Sequence, residues 1–239
     1  MQEETDPDVG WVAELSRCSL DRASRAVQEA AGERRLFSHL SREHRSEGRS
    51  SYIEIDAPLE LYALVRLLRP RHVVEVGVSS GVSSAYLLRA LEKNGHGTLH
   101  SIDRPKTARP RNRSARSNPS WSLPPGRSSG WAVPTALRVR WDLRIGDKGA
   151  VLPLFAEELD EVGLFVYDVP HDDEGSRREF GALDPLLPRT AVAIADHGPG
   201  GGLCEALAWW AKRRGGTPRG RDGLGLYGFR CERAPPRPV

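Results

Sequence analysis

A glycine-rich turn is the first feature of the sequence that could do chemistry. It reads Glu75-Val-Gly77-Val-Ser-Ser-Gly81 and follows a short β-branched run, HVVEV. At the carboxyl end of a buried strand, glycines let a ligand approach the backbone, and the next helix presents free N–H groups to it. Glycines also occur in such turns for steric reasons alone. The spacing differs from Gly-x-Gly-x-x-Gly, which argues against a nicotinamide cofactor.

Asp103 is the second candidate. It follows the next strand-like run, TLHSI, and lies 22 residues after Gly81. An acid at this place in an open α/β sheet can accept hydrogen bonds from both hydroxyls of a ribose. The alternative is an exposed acid that caps a turn. Because Glu75 and the glycines precede it, the pattern favours ribose binding.

Two acids and a histidine follow two later strand-like runs. Asp168 comes after GLFVY, and Asp196 and His197 come after AVAIA. Adjacent parallel strands bring their carboxyl ends together, and two carboxylates with an imidazole suit Mg²⁺ or another divalent metal. In the other interpretation Asp168 only contacts an organic cofactor, while Asp196 caps the turn at 198–202.

His171 lies three residues beyond Asp168, in DVPHDDEG. A general base for a hydroxyl needs a pKa near neutrality and hydrogen-bond reach to the substrate, and histidine meets the first requirement unaided. His171 is therefore a candidate catalytic base. It could equally cap the following helix beside Asp172, where acids favour the positive end of the helix.

The elements that must position these residues alternate between strand and helix. Apolar periodicity and turn signals predict strands over 72–76, 98–102, 138–145, 163–167, 191–195 and 224–230, and helices over 8–46, 58–68, 82–93, 149–159, 173–187 and 203–214. Such alternation is typical of a parallel sheet with right-handed crossovers. We therefore expect an α/β fold: a Rossmann-like, doubly wound, mostly parallel sheet with an N-terminal helical extension.

One stretch, about 104–134, interrupts this alternation. It is rich in Arg, Pro and Ser, and a gap of this size is usually a lid, a binding loop or disorder. Its composition predicts disorder over 105–129. Between Arg104 and Arg144 there are ten basic residues and one acid, so this segment alone creates the basic character of the chain. The overall charge of +3 is therefore no argument for nucleic-acid binding.

Composition excludes several classes of protein. The chain has 239 residues, of which 38% are hydrophobic and 28% charged, and it contains no apolar run long enough to span a membrane. Its three cysteines show no CxxC pairing, which disfavours a disulfide scaffold and a thiolate zinc site. The start, MQEETDPDVGW, lacks the pattern of a secretory signal. We expect a cytoplasmic protein without a membrane partner.

Two stretches resemble class I S-adenosylmethionine-dependent methyltransferases. They are VVEVGVSSGVSSAYLLRAL, followed by SID, which match the first two motifs of that family. The stretch GWAVPTALRVRWDLRIGDKGAVLPLF, with Asp168 and Asp196 beyond it, is similar to small-molecule O-methyltransferase-like families. The resemblance covers roughly residues 52 to 231.

The resemblance implies a role for each group of residues at the carboxyl ends of the strands, which together form the carboxyl edge of the sheet. The methionine part of the cofactor would lie against Gly77, Ser79 and Gly81, with Glu75 supporting that loop. The ribose would lie against Asp103, and the adenine against Gly146 and Asp147. In metal-dependent catechol-type members the metal positions hold Asp, Asp and Asn. Here they would be Asp168, Asp196 and His197, and the histidine is a departure from the pattern.

These inferences divide the chain into a helical extension over 1–69, which would cover the substrate pocket, and a methyltransferase-like domain over 70–239. We expect S-adenosylmethionine-dependent O-methylation of a small molecule, with or without a divalent metal. A metal-dependent hydrolase and a non-catalytic binding module are the alternatives. A nucleic-acid substrate is disfavoured because no Asn-Pro-Pro-Tyr-type tetrapeptide follows the fourth strand. An exposed apolar face on the N-terminal helices would favour a homodimer.

Overall fold

A seven-stranded sheet forms the centre of the protein. The computed structural model describes residues 6–47, 58–105, 123–169, 173–196, 202–221 and 224–235. The strands are β1 (His72–Val76), β2 (Thr98–Asp103), β3 (Trp141–Ile145), β4 (Leu164–Tyr167), β5 (Val192–Asp196), β6 (Arg219–Arg221) and β7 (Leu226–Arg230). Their order is β3-β2-β1-β4-β5-β7-β6; the first five run parallel, and β7 is antiparallel to both of its neighbours.

Helices cover both faces of this sheet. They are α1 (Val9–Ser16), α2 (Leu20–Ala31), α3 (Arg34–Ser46), α4 (Pro58–Leu68), α5 (Val82–Asn94), α6 (Lys148–Glu158), α7 (Asp173–Leu183) and α8 (Glu205–Arg213). Helices α1 to α5 share one core with residues such as Val73, while α6 to α8 share the other with residues such as Val74. Successive strand residues point to opposite faces, so strands buried on both sides are apolar throughout. The predicted doubly wound α/β fold is confirmed.

The N-terminal helices contact the C-terminal strand β6 through side-chain hydrogen bonds and an ion pair. The region predicted as helical over 8–46 forms three helices, and α1 ends at Arg17, which adopts a left-handed conformation with φ of 55°. The indole N–H of Trp11 donates to the Arg219 carbonyl at 3.0 Å. Glu60 of α4 and Arg221 of β6 form a buried ion pair at 2.9 Å. None of the described helices is both long and apolar enough to cross a membrane.

Three local predictions differ from the structure. The strand predicted from Arg138 begins at Trp141, because Thr135–Arg140 forms a 3-10 helix. The Arg138 side chain of this 3-10 helix donates to the carbonyls of Gly130 and Val133, and these bonds hold the helix against the residues that precede it. The short strand β6 was not predicted. Part of the stretch expected to be disordered, residues 123–129, has a defined structure that leads into Gly130 and Ala132, whose N–H groups bind the glycine turn. Residues 106–122 of that stretch lie outside the described residues.

Candidate functional site

The turn after β1 is tightly packed at Gly77. This residue has a positive φ of 97°, and its N–H donates to the Ile102 carbonyl at 2.9 Å. A Cβ atom at this position would lie 1.9 Å from the carbonyl oxygen of Asp168. Glycine is therefore required both by its conformation and by the close approach of the chain after β4.

Glu75 lies inside the protein below this turn. Its carboxylate has no exposed surface and accepts hydrogen bonds from the hydroxyls of Ser83, Ser84 and Ser101, of which the last two measure 2.7 and 2.6 Å. Burial raises the pKa of Glu75, and the three hydroxyl donors oppose that rise. Glu75 thus ties the first turn of α5 to β2. This geometry gives it a supporting position behind the loop and no surface for a ligand.

Asp103 ends β2 on the same edge of the sheet. Its side chain is 9% exposed and accepts a hydrogen bond from the hydroxyl of Ser129. Its carbonyl accepts a hydrogen bond from the Gly146 N–H at 2.9 Å, which joins the ends of β2 and β3. A carboxylate has about four acceptor positions, so the serine leaves capacity for a further partner.

Residues 123–134, which we call the covering segment, lie over the glycine turn. The N–H groups of Gly130 and Ala132 donate to the carbonyls of Ser79 and Ser80 at 2.8 and 3.0 Å. A Cβ atom on Gly81 would lie 2.5 Å from Val133 Cγ2. Glycine is therefore needed at position 81 because the covering segment packs against it. The presence of glycine there does not require the approach of a ligand.

Helix α3 supports the covering segment from outside. His39 Nε2 lies 3.1 Å from the Ala132 carbonyl oxygen, and Arg127 forms an ion pair with Glu47 at 2.5 Å. The Arg127 guanidinium also stacks on the Trp131 ring, 5.0 Å from its centroid. The N-terminal extension thus reaches the candidate site through this segment.

Gly146 and Asp147 follow β3 as predicted, at the edge that would border an adenine. Asp147 caps α6 by accepting a hydrogen bond from the Gly149 N–H at 3.0 Å, and it pairs with Arg104 at 2.9 Å. Both Gly146 and Asp147 lie beside Asp103 because β2 and β3 are paired up to Asp103 and Ile145.

Asp168 and Asp196 extend two neighbouring strands. The register pairs Tyr167 with Ala195, which places the two acids side by side at the carboxyl ends of β4 and β5. The Asp168 N–H donates to the Val76 carbonyl at 2.8 Å, so this strand end also contacts the glycine turn. The predicted convergence of Gly77, Asp168 and Asp196 on one edge is therefore observed in the backbone.

The predicted His171 and His197 lie outside the described residues. Within the part of the chain that the structure describes, no three His, Cys, Asp or Glu side chains are grouped so as to hold a metal ion. The metal interpretation therefore stays a prediction.

Sequence reasoning missed two polar contacts of the site. One is the Ser129 hydroxyl on Asp103, for which a serine in an Arg/Pro/Ser-rich stretch gives no signal. The other lies beneath Asp168, where Lys148 donates to Glu179 at 2.8 Å and both contact the Tyr167 hydroxyl. This group fixes the start of α6 and the middle of α7 against the end of β4. A lysine in the first turn of a helix and a glutamate on the next helix are a common combination, so the sequence does not predict that these two side chains meet.

Together these residues occupy one edge of the sheet. The strand order β2-β1-β4-β5 places Asp103, the glycine turn, Asp168 and Asp196 in a row along the carboxyl ends. Ligands of open α/β sheets bind at this edge, where the strand order reverses between β1 and β4. The row has the carboxylate of Asp103 at one end and the two acids Asp168 and Asp196 at the other.

The fold is shared with several methyltransferases of known structure. A methyltransferase from Geobacter sulfurreducens is 17% identical, with 82% of this chain and 87% of that chain covered and a TM-score of 0.53. An O-methyltransferase from Streptomyces achromogenes involved in tomaymycin synthesis, in complex with SAM, is 15% identical, with 83% and 90% covered and a TM-score of 0.50. An O-methyltransferase from Bacillus cereus in complex with SAH is 14% identical, with 82% and 90% covered and a TM-score of 0.50. No curated protein matches the chain in sequence.

A family model described as a methyltransferase domain matches residues 74–197. The match takes in more than half of the chain and includes the glycine turn, Asp103, Asp168 and Asp196. Because it coincides with the row of residues along the carboxyl edge, and because the fold around it is that of class I O-methyltransferase-like proteins, the chain belongs to the methyltransferase-domain family.

Proposed function

We propose that the protein transfers a methyl group from S-adenosylmethionine to a hydroxyl oxygen of a small molecule. The observation that carries this proposal is the placement of Asp103 next to the glycine turn, with Asp168 and Asp196 further along the same edge, in a chain of the methyltransferase-domain family. Two proteins with a similar fold, one in complex with SAM and one with SAH, support the choice of cofactor.

The residues of the edge fit this cofactor. Asp103 retains acceptor capacity beside Ser129 and would hold the ribose hydroxyls. Helix α5 begins at Val82, and its N-cap residue Gly81 provides no side-chain cap. Its first N–H groups would bind the carboxylate of the methionine part once the covering segment, which buries this end of the helix, moves aside. Gly77, Ser79 and Asp168 would border that part, Gly146 and Asp147 would border the adenine, and Glu75 would hold the loop from behind.

The chain would contribute mainly alignment and a base. Bound S-adenosylmethionine supplies a methyl group that is activated by the sulfonium. The acceptor oxygen must lie in line with the carbon–sulfur bond, and holding it there lowers the barrier by several kcal/mol. As the oxygen–carbon bond forms and the carbon–sulfur bond breaks, His171 would take the proton of the hydroxyl.

We also propose that Asp168, Asp196 and His197 hold a divalent metal, which would lower the pKa of a bound hydroxyl. The adjacent ends of β4 and β5 support this, because two neighbouring carboxylates are stabilised by a cation. Methyl transfer to catechol, followed by mass spectrometry with added Mg²⁺ and with EDTA, tests it. We expect activity with Mg²⁺ and at least about a tenfold loss with EDTA. Equal rates in both would remove the metal from the proposal.

Calorimetric titration with S-adenosylmethionine tests the cofactor assignment. We expect uptake by the wild-type protein and about 10- to 100-fold weaker binding by Asp103→Asn, because hydrogen bonds to a charged group are worth about 1.5–3 kcal/mol. Asp160→Asn is the matched control, since Asp160 precedes β4 at the opposite end of the sheet and pairs with Arg71. No uptake by the wild type, or equal affinities in Asp103→Asn and Asp160→Asn, would overturn the assignment.

A further inference from the structure

Three buried polar atoms near the covering segment have no hydrogen-bond partner among the residues that the structure describes. They are the hydroxyl of Ser41, Nε2 of His44 and Nε1 of Trp131. These residues are 4%, 2% and 9% exposed, so solvent does not satisfy the atoms either. Almost all buried polar atoms in folded proteins are paired. Three unpaired atoms in one place therefore point to a partner that binds there.

The three residues lie at the contact between α3 and the covering segment. Ser41 and His44 are three positions apart on the buried face of α3, and positions with this spacing are neighbours on a helix surface. The His44 and Trp131 rings are 5.1 Å apart between centroids. Trp131 stands between Gly130 and Ala132, whose N–H groups bind the carbonyls of Ser79 and Ser80. The cluster is thus adjacent to the glycine turn.

The hydrogen-bonding chemistry of the cluster requires a group that both donates and accepts, and a hydroxyl is such a group. His44 Nδ1 lies 2.8 Å from the Leu40 carbonyl oxygen, which can only accept, so Nδ1 carries the proton. In the neutral ring Nε2 is then an acceptor, whereas the indole N–H of Trp131 is a donor only. A hydroxyl donates one hydrogen bond and accepts others, and the Ser41 hydroxyl can do either. An ether or a carbonyl would leave His44 Nε2 unpaired, and an ammonium would leave the indole N–H unpaired.

We propose that Ser41, His44 and Trp131 bind a hydroxyl group of the methyl-accepting substrate. This inference rests on the proposed function and adds the residues that recognise the substrate. Because the three atoms are sealed from solvent, the hydroxyl enters when the contact between α3 and the covering segment opens, and the three residues surround it when that contact closes again. The aromatic walls formed by His44 and Trp131 suit a hydroxyl carried on a ring.

Phenol, compared with toluene, is the probe for this site. The two molecules have similar shapes, and only phenol carries the hydroxyl. In ¹⁵N-labelled full-length protein, the indole resonance of Trp131, assigned with Trp131→Phe, should shift on addition of phenol and not of toluene. We expect Ser41→Ala to weaken phenol binding about threefold to tenfold, as the loss of one neutral hydrogen bond does.

Ser176→Ala is the matched control variant. The Ser176 hydroxyl on α7 is also buried and unpaired, but it belongs to the other face of the sheet. Removing an unpaired buried hydroxyl should leave the melting temperature unchanged or raise it in both variants, and only Ser41→Ala should weaken phenol binding. Equal responses to phenol and toluene, or equal phenol affinities in the two variants, would overturn the inference.

Uptake of S-adenosylmethionine by the wild type separates this inference from the proposed function. If the cofactor binds and phenol behaves like toluene, only the hydroxyl site is wrong. If the cofactor does not bind, the methyltransferase assignment is wrong, and a phenol-specific shift would then support a hydroxyl-binding site without the substrate role proposed for it.

Discussion

Two glycines of the fold, Gly77 and Gly95, are required for different physical reasons. Gly77 has a positive φ and backbone contact with Asp168, so the turn and the end of β4 tolerate no side chain there. Gly95, at the end of α5, also has a positive φ of 77° but has nothing within 4 Å of where its Cβ would be. The two glycines therefore separate the cost of a left-handed conformation from the cost of a clash.

This comparison makes a prediction for stability. We expect Gly95→Ala to lower the free energy of unfolding by about 1 kcal/mol, the usual cost of a left-handed residue with a side chain. Gly77→Ala should lower it by about 3 kcal/mol, because a clash with backbone is added. Urea unfolding followed by circular dichroism measures both. Equal losses would contradict the packing of Gly77 against the Asp168 carbonyl.

Some site residues could be predicted from the sequence and others could not. Asp103, Asp168 and Asp196 follow short apolar runs, and the rule that parallel strands share one carboxyl edge brings them together without further information. Ser129 binds Asp103 across 26 positions of the chain. Such a contact depends on how the covering segment packs on the glycine turn, and that packing leaves no periodic signal.

At the scale of elements, burial decides which strands can be predicted. The run His72–Val76 was predicted with the bounds that β1 has, because a strand buried on both faces is a continuous β-branched run. The strand Arg219–Arg221 has two charged residues and a glycine, and among the described strands it pairs with β7 alone. Its Arg221 is buried by pairing with Glu60, 161 positions away. An ion pair that distant has no local pattern.

The covering segment illustrates the same limit for a loop. Composition predicts disorder over 105–129, yet Leu123 of that stretch is buried in the core that α1 to α5 share, together with Trp131 and Val133 just beyond it. Between these apolar residues, Arg127 pairs with Glu47 and Ser129 donates to Asp103. Composition averages over such a segment, whereas a few apolar anchors at the right positions are enough to hold it.

At the scale of the whole molecule, a chain of titratable side chains crosses three strands away from the carboxyl edge. His72 Nδ1 lies 3.0 Å from His100 Nε2, and His100 Nδ1 lies 3.2 Å from Asp142 Oδ2. The other ring nitrogen of His72 faces Asp160 at 3.3 Å. The charged groups around the two histidines are Arg71, Arg144, Glu158, Asp142 and Asp160. This chain connects β1, β2 and β3 to the residues just before β4.

Burial lowers the pKa of His72, and the neighbouring His100 lowers it further, while Asp160 opposes the shift. The unfolded chain therefore binds a proton at His72 at a higher pH than the folded protein does, so stability is complete above about pH 6.5 and falls as the pH drops below it. We expect the free energy of unfolding, measured in urea between pH 8 and 5, to decrease towards pH 5. His72→Gln should flatten this dependence because it removes the titrating ring. Asp160→Asn should steepen it because it removes the carboxylate that favours the protonated ring. If both variants keep the wild-type slope, His72 is not the group that links folding to pH.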